Sequence, residues 1–325
     1  MRPPETPKAR PPVVMFAYRR PDHLRRTLAA LAANDGASET HVILHSDGPR
    51  GAADAAAVKA VRKVAQEAVG SGAFGDFAIV AQDRNKGLAA NIVDGVTAAM
   101  AAHGRAIVVE DDIVTARGFL DFMRAGLDRF EGDPRVWHIS GWFYDIDPAG
   151  LPDYALWQVM NCWGWASWAD RWQHYREDPQ RIVRDWDRAT RRRYNLDGAH
   201  DFFCQIEDNA SGRKYTWDCF WYAAIFEAGG LCLTPTRAFA RNIGLDGTGE
   251  NCGPADMPAL DTSRRFESFP PEIGESPEMV ARVKAKVRLP MLNRAKRGVK
   301  LTLMSVAPQA TERLLGAYGK LQRPS

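Results

Sequence analysis

No stretch of this 325-residue chain approaches the roughly 18 uninterrupted apolar residues that a helical membrane span requires. Its opening, Met1 to Pro12, holds five prolines and no apolar run, so neither a secretory leader nor an integral membrane protein is expected. Cysteine is scarce and odd in number. Cys162, Cys204, Cys219, Cys232 and Cys252 show none of the close spacing of a zinc ribbon or redox motif, so reduced, mostly buried thiols in a cytoplasmic protein are expected. Net charge is only +3, and no internal repeat is evident.

What is there matches an ordinary globular protein, with 45% hydrophobic and 26% charged residues. The charge is unevenly placed. From Ala281 onward eleven Lys and Arg stand against the single acid Glu312, so the rest of the chain is net acidic. With Leu289, Met291, Leu292, Leu301, Leu303 and Met304 interleaved, this tail suits an anionic membrane surface; a solvated helical extension is the other reading. It lacks the aromatic platforms of single-strand binders, and no nucleic-acid partner is expected.

Apolar runs and turn residues predict strands at Val13 to Tyr18, Val42 to His45, Phe77 to Ala81 and Arg105 to Val109. Helices are predicted at Pro21 to Ala33, Ala52 to Val69, Leu88 to Ala102 and Gly118 to Phe130. This alternation implies a parallel sheet with right-handed crossovers. Beyond residue 130 it is lost. A strand at Val136 to Phe143 precedes the tryptophan-dense stretch Trp157, Trp163, Trp165, Trp168, Trp172. An exposed arginine-rich helix is predicted over Asp178 to Tyr194, a helix over Trp217 to Ala228, and a strand over Leu231 to Pro235. Asn242 to Gly253, with four glycines, is a candidate mobile loop.

Glu110, Asp111 and Asp112 follow the apolar run ending at Val109, which places three acids where a parallel strand ends. Ligands of open α/β sheets collect at the carboxyl ends of strands, and adjacent carboxylates there repel unless a cation or polar ligand lies between them. A divalent metal with a diphosphate is a natural occupant, because hard cations share oxygen ligands between carboxylates and phosphates. A solvated acidic loop before the next helix is the competing reading.

The ordered strand ends, Ala17-Tyr18-Arg19, Asp47, Asp83 to Gly87 and Glu110-Asp111-Asp112, resemble the nucleotide-diphospho-sugar glycosyltransferases of the GT-A fold. Those include family 2 enzymes and the Glu-Asp-Asp type represented by N-acetylglucosaminyltransferase I. Trp163 to Trp168, Trp217-Asp218 through Trp221, and Asn242 to Gly247 resemble a bacterial family-2-like sugar transferase group. The resemblance spans about residues 12 to 255. It implies a Rossmann-like, mostly parallel α/β sheet flanked by helices, with a nucleotide-sugar half (12–130) and a smaller acceptor half (131–255). Residues 1–11 are expected to be disordered, and 256–325 to form a linker and basic extension.

By the same resemblance, Asp112 ligates Mn²⁺ or Mg²⁺, Asp111 contacts the ribose or the metal's water shell, and Glu110 faces the donor sugar. Asp47 contacts base or ribose, Ala17, Tyr18 and Arg19 line the nucleobase pocket, and Arg84, Asn85 and Lys86 border the nucleotide. Asp218 matches the general base; among aromatics its pKa would rise, while the residue type equally suits a helix cap. Trp165, Trp168 and Trp217 are candidates for stacking an acceptor sugar, although most of the tryptophans are expected in the core. Relatives tend to carry histidine where this chain has Asn251, which puts that loop's role in doubt.

The implied activity is metal-dependent, inverting transfer from a UDP-sugar to a glycan, lipid-linked or other glycoconjugate acceptor, at the cytoplasmic face of an inner membrane. A sugar-nucleotide nucleotidyltransferase uses a similar sheet but usually has a glycine-rich loop after the first strand; here Tyr18-Arg19-Arg20-Pro21 stands there. A non-catalytic nucleotide- or carbohydrate-binding module is the third possibility.

Overall fold

The structure is a computed structural model that describes residues 10–249 and 255–288. The expectations for residues 1–9, for Asn251 and for the tail beyond 288 lie outside the described residues.

The first third folds as its alternation predicts: β1 (Val13–Ala17), α1 (Pro21–Ala32), β2 (His41–Ser46), α2 (Ala52–Ser71), β3 (Asp76–Ala81), α3 (Leu88–His103) and β4 (Arg105–Glu110). The apolar runs of β1 and β4 are buried from both sides by helices, which is why they show no polar alternation. Next come β5 (Ile113–Thr115), α4 (Phe119–Phe130), β6 (Val136–Ser140), β7 (Tyr154–Trp157), β8 (Trp165–Trp168) and α5 (Ala169–Trp172). They are followed by α6 (Pro179–Asp185), α7 (Arg188–Tyr194), α8 (Phe203–Ala210), α9 (Asp218–Glu227), β9 (Leu231–Pro235), β10 (Ala240–Asn242) and α10 (Pro277–Val287).

Eight strands make one sheet in the order β3-β2-β1-β4-β8-β6-β9-β7. The pairs β3·β2, β2·β1, β1·β4 and β6·β9 are parallel, whereas β8 and β7 run against their neighbours. The sheet is therefore mixed but mostly parallel, with helices on both faces. A two-stranded ribbon, β5 with β10, pairs Asn242 with Ile113 and lays the following loop beside Asp112.

Three segments depart from the sequence reading. β8 lies inside the tryptophan-dense stretch and β7 ends on its first member, Trp157; residues buried on both faces erase the period-two signal that would have revealed strands. The single exposed helix expected over Asp178 to Tyr194 is two helices. Asp178 accepts from the Arg181 amide at 3.0 Å and Asp187 from the Thr190 amide at 2.7 Å, so each starts a helix of its own. Ile182, Trp186 and Tyr194 turn into the core. The strand from Val136 stops at Ser140.

The described part of the expected linker and extension lies against the domain. Arg117 and Gly118 amides donate to the Thr262 and Arg264 carbonyls, Phe266 and Phe269 pack on Phe122 and Tyr154, and Met279 and Val283 are fully buried. Among the described residues, no helix is long and apolar enough to cross a membrane.

Candidate active site

A cleft opens at the carboxyl ends of β1, β2 and β4 and is closed on its far side by the start of α9. Register explains its floor. Phe16 pairs with Glu110, so the residues that continue β1 lie beside those that continue β4. The Tyr18 amide donates to Asp111 Oδ2 at 3.3 Å, and Arg20 Nη2 donates to Asp111 Oδ1 at 2.5 Å and to Asp112 Oδ2 at 2.8 Å. Thr27 Oγ1 fixes the Asp111 carbonyl at 2.8 Å. The cation that adjacent carboxylates demand is thus partly supplied by the chain itself. Burial pushes Asp111 up to about 6, with Arg20 pulling it back and Asp112 adding to the rise. Glu110 is raised well above the usual carboxylate range by burial and then by the Asp112 and Asp111 charges.

Two buried polar atoms here have no partner: Arg20 Nη1 and Asp112 Oδ1. An orphaned carboxylate oxygen beside a cleft fits a hard divalent cation, which needs only one or two protein carboxylates when phosphates supply the rest. Among the described residues no group of three or more His, Cys, Asp or Glu forms a self-sufficient metal cage. Gly244 covers this corner. A Cβ on it would lie 2.1 Å from Asp112 Oδ2 and 2.6 Å from Arg20 Nη1, and the Ile243 amide donates to the Asp112 carbonyl at 2.8 Å.

The structure separates the residues expected to border a nucleotide. Ala17, Tyr18, Arg19, Asp47 and Asn85 line the cleft, whereas Arg84 and Lys86 do not. Lys86 reaches outward to pair with Asp94, and the Arg84 backbone packs so tightly on Gly48 that a Cβ there would lie 2.4 Å from it. Asp47 is 3% exposed, and its oxygens already accept from the amides of Gly48 (2.8 Å), Lys86 (2.8 Å) and Gly87 (3.1 Å) and from Asn85 Nδ2 (2.9 Å). Four donors leave it no acceptor site for a ribose, so Asp47 holds the 85–87 loop and shapes the wall. Tyr18 presents a half-buried ring, its hydroxyl donating to Asp54 at 2.6 Å and the Arg19 and Arg50 guanidinium carbons lying 5.7 and 5.5 Å from its centre.

The opposite wall is built from 214–218, with Trp163 and Gln205. Asp218 opens α9 without capping it, and burial raises its carboxyl while the amides of Cys219 and Asp218 and the Thr216 hydroxyl pull it back. Its surroundings are fixed by a buried histidine. His138 accepts from Trp221 Nε1 on α9 at 3.2 Å and donates to the Asn161 carbonyl at 3.1 Å, and burial holds its pKa down to about 3, so it stays neutral. Trp217 touches the cleft, but Trp165 and Trp168 do not. They are 1% and 2% exposed: Trp165 stacks on Trp217 and His138, and Trp168 donates to the Leu127 carbonyl. Alternate residues of β8 point to opposite faces of the sheet, and both faces here are covered.

No protein-family model matches the chain, and no curated protein does. Solved structures with a similar course include the mannosyltransferase PcManGT from Pyrobaculum calidifontis in complex with GDP-Man and Mn²⁺, at 12% identity and TM-score 0.38, covering 68% of this chain and 70% of that one. S. aureus TarS is similar at 12% identity and TM-score 0.39 over 71% of this chain and 36% of its own. The galactosyltransferase LgtC, with donor and acceptor sugar analogs, is similar at 11% identity and TM-score 0.37 over 68% and 72%.

Sequence patterns did not mark Arg20, Arg50 and Tyr215 as site residues, and Trp163 stood only as one of the clustered tryptophans; all four line the cleft. Arg20 had a signal. It stands three residues beyond β1, beside the triplet's strand, and a buried acidic cluster requires a cation from a neighbouring strand end. Arg50 and Tyr215 had none, since both sit in connections whose direction only the fold sets.

Proposed function

We propose that this chain is a GT-A-type glycosyltransferase that takes a hexosyl or N-acetylhexosaminyl group from a nucleotide-diphosphate donor to a glycan or lipid-linked acceptor. One observation carries the reading: a strand-end acidic triplet, one of whose buried carboxylate oxygens lacks a partner, faces across one cleft a further, half-buried carboxyl, Asp218, on another element. The Tyr18 ring with Arg19 and Arg50 suits a nucleobase and its phosphates. UDP is favoured on family resemblance.

Asp112 Oδ1 would hold Mn²⁺ or Mg²⁺. When bound, such an ion stabilises the departing diphosphate as a Lewis acid. Glu110, whose carboxyl is raised well above the usual range by burial and then by the Asp112 and Asp111 charges, faces the donor sugar. Asp218, whose carboxyl is made more basic by burial, takes the proton from the acceptor hydroxyl, a contribution of about 10²–10⁴-fold. A base opposite the leaving group gives inversion at the anomeric carbon. The basic segment beyond residue 288 would hold the enzyme near an anionic bilayer; equal flotation with anionic vesicles after deletion of residues 289–325 would remove that part.

Thermal-shift titration with UDP and GDP, with and without Mn²⁺, tests the donor site. Stabilisation by one nucleotide that grows with Mn²⁺ is expected, and Asp112→Ala should abolish the growth. Release of nucleoside diphosphate from a UDP-sugar separates an enzyme from a binding module. If no nucleotide stabilises the protein, the proposal fails.

A further inference from the structure

Among the aromatic rings lining the cleft, Tyr215 stands most open, at 57% exposed, while Phe16 and Trp217 are nearly closed off. Exposure has not left it loose. Its hydroxyl donates to Glu177 Oε2 at 3.1 Å, Glu177 Oε1 accepts from the Tyr175 hydroxyl at 2.7 Å, and the Tyr175 ring stacks on Trp172 with centroids 4.7 Å apart. The backbone beneath is tied as well: the Thr216 amide donates to Asn209 Oδ1 at 3.0 Å, and Asn209 Nδ2 donates to Thr216 Oγ1 at 3.0 Å. An exposed ring that is already ordered loses little freedom when a ligand covers it. It stands three residues before Asp218, on the same wall.

We propose that Tyr215 is the platform on which the acceptor's sugar ring stacks, and that Glu177 is the positioning residue that sets its angle. The inference rests on the transferase reading and adds to it the residue that recognises the acceptor. The apolar C–H face of a pyranose fits an aromatic face, and Gln205 and Lys214 on the same wall supply donors for its hydroxyls. Because Tyr215 projects from the exposed connection between α8 and α9, its replacement leaves the core untouched.

The test is retention of the full-length protein on a printed glycan array with UDP and Mn²⁺ present, beside the UDP thermal shift of each variant. A defined set of glycans retained by wild type should be lost at least 10-fold by Tyr215→Ala and kept by Tyr215→Trp. Tyr215→Phe and Glu177→Ala should fall between, Glu177→Gln should restore retention, and the UDP shift should stay unchanged throughout. Wild type retaining no glycan, or Tyr215→Ala retaining the same set, overturns the platform. An absent UDP shift in wild type would instead strike the donor reading, and the array result would still decide Tyr215.

Discussion

Arg20 and Asp112 share one hydrogen bond of 2.8 Å, and each is left with a buried polar atom that nothing satisfies. The same Arg20 nitrogen also serves Asp111, so a single guanidinium holds two carboxylates together at the end of β4. Arg20→Met should destabilise the fold by about 3 kcal/mol, since breaking a largely buried pair strands the remaining charge. Mn²⁺ should recover part of the loss by taking the vacated oxygens. Urea denaturation with and without Mn²⁺ measures both, and an unchanged midpoint in metal-free buffer would contradict the bridging role.

Asp218→Asn should leave nucleotide binding intact and lower transfer by about 10²–10⁴-fold. Burial raises this carboxyl, so the wild-type rate at saturating donor should climb with pH through a value above the ordinary carboxylate range, and the asparagine variant should lack that limb. A variant that transfers sugar at the normal rate would assign the base to another group.

Glu110 and Asp111 make stability depend on pH in a direction fixed by their raised pKa values. A carboxyl raised on folding binds its proton more tightly in the folded state. Its contribution is fully present below the unfolded value, about 4, and is lost as pH rises through the folded value. For Asp111 the window ends at about 6, and Glu110 adds a loss of the same sign. Glu110→Gln should therefore gain stability relative to wild type as pH rises from the unfolded value, about 4, toward neutrality. Melting temperatures of both proteins across that range decide it; a constant difference would be the contrary result.

Gly244→Ala should disturb the cation corner specifically. Its added carbon would fall 2.1 Å from Asp112 Oδ2, and overpacking of this kind costs about 1–3 kcal/mol. Nucleotide stabilisation by Mn²⁺ should weaken while uridine binding persists, as calorimetry with each ligand would show. Equal affinities in variant and wild type would mean that the 242–249 loop yields freely.

The amino-acid sequence by itself determined the βα alternation of the first 130 residues, the helix from Asp218 and the strand-end address of Glu110, Asp111 and Asp112. Each is written in local periods and in the residues that start or stop an element. Only the tertiary structure decided that Arg20 meets Asp111, 91 residues away, because the register of β1 on β4 brings them together. It also decided that Asp47 spends its oxygens on the 85–87 loop, that Lys86 faces Asp94, and that Trp165 and Trp168 are core while Tyr215 looks into the cleft. Composition reports that a side chain is aromatic or charged; which side of a covered strand it occupies, and which distant donor reaches it first, depends on the packing of the whole chain.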